Sequence, residues 1–158
     1  MKVDPVGKTL SEVNRAYLAG FLDGDGAIMA CIERHPEKRF RFRVRINIKI
    51  SQKGDKILKW CKRITGFGNI RHNRTQYEWV SLDQKEIRKF LIFLLPYLRV
   101  KKSQAKIAIE ILDKEIQTLS DLIKVARLAD ALAKLNVRSM GRRKNFTKMI
   151  QESVSSND

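Results

Sequence analysis

Residues 40–50 read FRFRVRINIKI. Apolar side chains fall at Phe40, Phe42, Val44, Ile46, Ile48 and Ile50, and polar ones at Arg41, Arg43, Arg45, Asn47 and Lys49. Successive side chains of a strand point to opposite faces. Period two over this length therefore predicts one long β-strand with a buried face and a solvated face. Such a strand belongs to an antiparallel sheet covered on one side only. Residues 27–33 supply a hairpin partner across the loop Arg34, His35, Pro36, Glu37 and Lys38.

Two readings fit the polar row. It is a plain solvated face whose basic residues discourage edge pairing, or it is a surface that reads DNA. Same-face residues of a strand are about 6.7 Å apart, close to two base-pair steps of a duplex. Sheets of this kind enter the major groove, where Arg pairs with the guanine edge and Asn with the adenine edge. Charge favours the second reading. The 158 residues carry 33 Lys and Arg against 17 Asp and Glu, a net charge of +16, and such an excess seeks a polyanion. No apolar run approaches the ~20 residues of a membrane span and no signal peptide is evident, which excludes an integral membrane protein and points to an intracellular one. Cys31 and Cys61 have no metal-ligand spacing and read as reduced thiols.

Working outward, Thr9-Leu10-Ser11-Glu12 has the S/T-x-x-E capping pattern, and a helix follows to about Gly24. Residues 55–65 read as a helix stopped by Gly66. Residues 67–71 and 77–82 form a second hairpin, with Arg71, Asn73, Arg74, Gln76 and Glu78 able to extend the polar row. Asp83 with Glu86 opens another helix that ends near Pro96. Residues 103–116 and 120–135 read as helices, 138–144 as a basic loop, and 146–153 as a short last helix. The order helix, hairpin, helix, hairpin, then helices defines an α+β fold. Neither a repeat nor a linker divides the chain. Trp60, Trp79, Phe90 and Phe93 read as core, and His35 and His72 as loop residues. Glu33, beside the basic row, could accept from cytosine.

The first helix ends in LAGFLDGDG, residues 18–26, with three glycines and two aspartates. Glycine costs a helix about 1 kcal/mol relative to alanine, and aspartate opposes the negative end of the helix dipole. One reading is a C-cap followed by a turn. The other starts from Ala16, Gly20 and Gly24, which share one face and have almost no bulk. Two copies of the helix could pack closely there across a twofold axis. Asp23 and Asp25 would then cluster at the paired tips, where a cation must offset their charge against a phosphate. Oxygen ligands with few carboxylates suit Mg²⁺ and metal-assisted phosphodiester hydrolysis.

LAGFLDGDG also resembles the signature of the LAGLIDADG homing endonucleases. It matches at Leu-Ala-Gly, at the first Asp and at Asp-Gly, and departs at Phe21-Leu22 and Gly24. ISQK at 50–53 and LPYLRVKKSQA at 95–105 are similar to family segments, and the likeness runs over roughly 16–135. One motif copy is most similar to the single-motif, intron-encoded members that act as homodimers. The resemblance implies an α-β-β-α-β-β-α core with a saddle-shaped antiparallel sheet, helices on one face and extra C-terminal helices. It implies one domain over 1–158, with its core at about 9–135 and a basic loop and tail at 136–158.

The same resemblance implies a double-strand DNA endonuclease that uses Mg²⁺, with Mn²⁺ able to substitute, cuts a long pseudo-palindromic site across the minor groove and leaves 3′ overhangs. Asp25 matches the family's essential metal-binding carboxylate, and Gly24 would offer its carbonyl to the same ion. Asp23 matches a position usually assigned to structure. Gln52 matches a residue that positions water, Lys101, with Lys102 beside it, matches a cation near the scissile phosphate, and Lys56 matches a peripheral basic residue. Arg142, Arg143 and Lys144 match a loop touching flanking DNA. The rival readings are an RNA-binding maturase of its host intron, a non-cleaving DNA-binding regulator, and a basic ribosome-associated protein.

Overall fold

The computed structural model describes residues 10–136 and 145–156. Helix α1 spans Glu12–Asp25, followed by strands β1 (Gly26–Arg34) and β2 (Phe42–Gln52). Helix α2 (Lys56–Thr65) leads to strands β3 (Asn69–Asn73) and β4 (Gln76–Ser81). Helices α3 (Gln84–Leu94), α4 (Lys102–Asp113), α5 (Leu119–Asn136) and α6 (Phe146–Ser155) complete the described chain. The four strands form one antiparallel sheet in the order β1-β2-β4-β3. This is the α+β architecture expected from the alternating strand. No helix among the described residues is long and apolar enough to cross a membrane.

The start of α1 differs from expectation. Ser11 is the N-cap, and its Oγ accepts from the Asn14 N–H at 3.2 Å. Glu12 is therefore the first helical residue, and Thr9, the other end of the expected capping pair, lies outside the described residues. The α3 cap is as expected: the Asp83 carboxylate accepts from the Glu86 N–H at 3.0 Å. Helix α2 ends at Gly66 in the left-handed conformation, φ 75°. Two residues on, Gly68 has φ 83°, and a Cβ there would run into the Trp79 indole, so only glycine fits.

Strand β2 starts two residues later than the alternation suggests. Arg41 takes φ 60°, its N–H donates to the Lys38 carbonyl at 2.8 Å, and its own carbonyl accepts from the His35 N–H at 2.8 Å. The chain is still turning at Arg41, so this residue leaves the polar row. Register then pairs Gly26 with Ile50 and Arg34 with Phe42. Beyond the last β2–β4 pair, Ile48 with Ser81, the backbone of β2 would lack a partner on that side. The Gln84 side chain fills this gap, accepting from the Ile46 N–H at 2.8 Å and donating to its carbonyl at 2.9 Å.

The helices cover the apolar face. Ile28, Ile46, Ile48, Ile50 and Trp79 of the sheet are fully buried with Leu18, Leu22, Leu58, Phe90 and Leu91 of α1 to α3. Each such side chain contributes about 1.5–3 kcal/mol of hydrophobic stabilisation. Phe67, Trp79 and Phe90 meet edge to face, and the indole N–H donates to the Phe67 carbonyl at 3.1 Å. The same cluster extends to Phe146 and Ile150 of α6. Asp130 of α5 fastens that helix by accepting from the Phe146 and Thr147 N–H groups at 2.6 and 3.1 Å.

Candidate active site

Helix α1 delivers its last residues to the junction with β1. Leu18, Ala19 and Leu22 are fully buried, whereas Ala16, Gly20, Gly24 and Asp25 are exposed. The helix ends because the Gly26 N–H closes on the Leu22 carbonyl and the backbone then turns extended. A Cβ at Gly26 would lie 2.5 Å from Leu22 Cδ1 and 2.7 Å from its carbonyl oxygen, so this glycine serves its own chain. A Cβ at Gly20 or Gly24 meets nothing within 4 Å. No contact within the described chain demands those two glycines. Val13 and Tyr17, 76% and 51% exposed, flank the same bare face.

Asp23 and Asp25 have different surroundings. The Asp23 carboxylate accepts from the backbone N–H groups of Arg99, Val100 and Lys101 at 2.7, 3.1 and 2.8 Å. Burial pushes its pKa up, but those N–H groups and the Lys101 charge outweigh burial and hold it below the ordinary value. Asp23 therefore ties the segment before α4 to the tip of α1, as the resemblance anticipated for a structural position. Asp25 accepts one bond, from Gln52 Nε2 to its Oδ2 at 2.6 Å. Gln52 is the last residue of β2, so the helix tip and the strand end meet at this pair.

Lys101 sits just before α4 and is only 8% exposed. Its Nζ donates to the Asp23 main-chain carbonyl, which holds the ammonium at the α1 terminus. Lys101 lines a pocket of about 610 Å³ together with Gly24, Asp25, Lys49, Ser51 and Gln76. Gln104, Val100 and Asn136 complete part of its wall. Lys102 and Lys56 are exposed and are absent from that lining. The structure thus brings Gly24, Asp25, Gln52 and Lys101 together, with Lys49 and Gln76 at the inner end of the sheet.

The open face of the sheet carries Arg43, Arg45, Asn47 and Lys49 from β2, Gln76 and Glu78 from β4, and Arg71 and Asn73 from β3. Arg74 lies in the β3–β4 turn with φ 56°. Two carboxylates organise this face. Glu78, only 4% exposed, accepts from Arg71 Nε at 2.7 Å and from Lys49 Nζ and Asn73 Nδ2 at 3.3 Å each. Burial raises its pKa, but those donors, Arg71 foremost, bring it below the ordinary value. Glu33 accepts from Arg43 and Arg45. Sequence reasoning placed Glu33 and Glu78 among base-reading residues; the structure places each against basic neighbours of its own chain. Cross-strand register was the missing information. Arg142, Arg143 and Lys144 lie outside the described residues.

Three comparisons bear on this geometry. The family model described as LAGLIDADG endonuclease matches residues 18–110. The DNA endonuclease I-CvuI of Chlorella vulgaris is 34% identical over 125 residues, covering 76% of this chain and 78% of that protein. The DNA endonuclease I-CreI of Chlamydomonas reinhardtii is 27% identical over 125 residues, covering 76% of this chain and 77% of its own length. The crystal structure of I-CvuI with the I-CreI target DNA in the presence of Mg superposes with TM-score 0.83 and 29% identity, covering 92% of this chain and 94% of that one.

Proposed function

This chain belongs to the LAGLIDADG endonuclease family and is a homing endonuclease, and we propose that it cuts both strands of a long, pseudo-palindromic duplex as a homodimer and leaves 3′ overhangs. The observation that carries this reading is Asp25: an exposed carboxylate at the tip of a bare helix face, bonded to Gln52 and set at the inner end of a basic sheet face.

The donor set fits a hard divalent cation. Each chain supplies the Asp25 carboxylate and, next to it, the Gly24 carbonyl at the negative end of a helix dipole. Among the described residues no three His, Cys, Asp or Glu side chains cluster as a metal site. The remaining ligands would then come from phosphate oxygens, water and the partner's Asp25, a donor set that suits Mg²⁺. Such an ion activates water and stabilises the leaving oxygen in phosphodiester hydrolysis. Gln52 orients Asp25 through Nε2 and keeps Oε1 available to hold a water. Lys101 brings a positive charge to the pocket, where it offsets charge developing on a phosphate. Arg43, Arg45, Asn47, Lys49, Arg71, Asn73, Arg74 and Gln76 are the candidate DNA contacts, and Ala16, Gly20 and Gly24 the candidate dimer face.

Incubating the protein with a randomised duplex library in Mg²⁺ tests this. The expected result is one class of cleaved site with 3′ overhangs, loss of cutting in EDTA, and recovery with Mg²⁺ or Mn²⁺. Cutting that persists in EDTA, or blunt ends, would contradict it.

A further inference from the structure

Glu33 is the last residue of β1 on the open face, after Ala27, Met29 and Cys31, directly across from Arg43 and diagonal to Arg45. One oxygen, Oε1, accepts from Arg43 Nε at 2.8 Å, from Arg43 Nη2, and from Arg45 Nη2 at 2.8 Å. The three side chains are about equally accessible, at 37%, 34% and 28% for Glu33, Arg43 and Arg45. A carboxylate on a face meant for phosphates and bases is unfavourable by itself, since it repels the polyanion. Here two guanidiniums neutralise it, and the trio keeps a net positive charge.

We infer that Glu33 is a positioning residue for sequence specificity, holding Arg43 and Arg45 as one rigid reading unit instead of touching a base itself. The inference rests on the DNA-cleaving reading given above. An arginine has two hydrogen-bonding forks. Glu33 takes the Nε–Nη2 fork of Arg43, which leaves the end-on Nη1–Nη2 fork unclaimed by Glu33. That fork matches the O6 and N7 acceptors of guanine. Arg45 is anchored through Nη2, and its Nε is buried with no partner, so its outward reach also falls to the end of the guanidinium. Arginine loses much rotamer freedom on binding, and a side chain already held loses less. A held arginine also cannot swing to a neighbouring base. Glu33 thereby converts two flexible cations into fixed ones.

The competing account is a direct contact from Glu33 to cytosine. Selection of bound duplexes from a randomised library in Ca²⁺ separates the two. R43A and R45A first mark the base pairs those arginines read. E33Q keeps the side-chain size and removes the charge. It should lower discrimination at the marked pairs by about tenfold, in the lower part of the range for a bidentate arginine–guanine contact. It should add no further loss at the Arg43 pair in an R43A background. Preference lost at a third base pair, or an unchanged profile, would overturn the inference. So would additive losses in the double variant. If the wild type selects a defined sequence in Ca²⁺ but never cuts it in Mg²⁺, the endonuclease reading fails while the Glu33 test still stands. If the wild type selects no sequence, both fail.

Discussion

The stretch LAGFLDGDG has two faces that obey different rules. Leu18, Ala19, Leu22, Asp23 and Gly26 turn inward, and each is accounted for by its own chain. The first three are fully buried, Asp23 takes three backbone N–H groups, and Gly26 leaves room for Leu22. Gly20, Gly24 and Asp25 turn outward: no contact of the described chain calls for the two glycines, and Asp25 accepts a bond from Gln52 alone. Glycine in a helix is costly and a carboxylate at a helix C-terminus is unfavourable, so residues kept without an internal reason answer to something outside the chain. Two aspartates two residues apart thus differ in role because one has its acceptor capacity filled by backbone and the other does not.

Substitutions on the two faces should fail in different ways. The largest effect is expected for Gly20→Leu. A Cβ there meets nothing within 4 Å in its own chain, so the monomer should still fold, with a melting temperature lowered only by what the lost association contributed. In a symmetric dimer the leucine enters twice, at about 1–3 kcal/mol each, so association weakens by about 2–6 kcal/mol. Sedimentation should show monomer, and a stable, active dimer would remove the proposed interface. Inward changes should act on stability instead. Asp23→Asn loses charge-assisted hydrogen bonds, a cost of about 2 kcal/mol, which lowers the melting temperature by about 4–8 °C.

Acid sharpens this second test. The folded pKa of Asp23 lies below its ordinary value, so its stabilisation is complete above that value and is lost as pH falls through the folded pKa. The gap between wild type and Asp23→Asn should close below about pH 5. An effect of similar size is expected for Gly26→Ala. Part of the crowding is the flexible Leu22 side chain, but the Leu22 carbonyl is backbone, so the cost is about 1–3 kcal/mol. The smallest effect is expected for Gly24→Ala, which meets nothing within 4 Å in its own chain and gains helix propensity, so the stability of the chain itself should not fall and should rise by up to about 1 kcal/mol.

Local pattern carried most of the fold. The alternation of residues 42–50, the Asp83 cap and the Gly66 stop were legible because each is decided by neighbours along the chain. The two-residue shift at Arg41 was not, because alternation continues through Phe40 while the backbone has already turned. The candidate site was suggested by the family resemblance at Asp25, Gln52 and Lys101, but the bonds that bring these residues together were not legible. The Asp23 partners lie 76 to 78 residues downstream. The Glu33 and Glu78 clusters depend on which strand residues face each other, which one strand's pattern cannot give. The attachment of α6 to Asp130 is hidden for the same reason.

The contrast between the two aspartates is tested most directly by single-turnover cleavage with enzyme saturating the DNA, measured side by side for Asp23→Asn and Asp25→Asn below the melting point of either. Saturation removes binding, and the low temperature removes stability. Asp23→Asn should then cut within about tenfold of wild type, while Asp25→Asn binds the same site and cuts at least about 10³-fold more slowly. Cleavage by Asp25→Asn at the wild-type rate, or an equal loss in both variants, would contradict the division of roles.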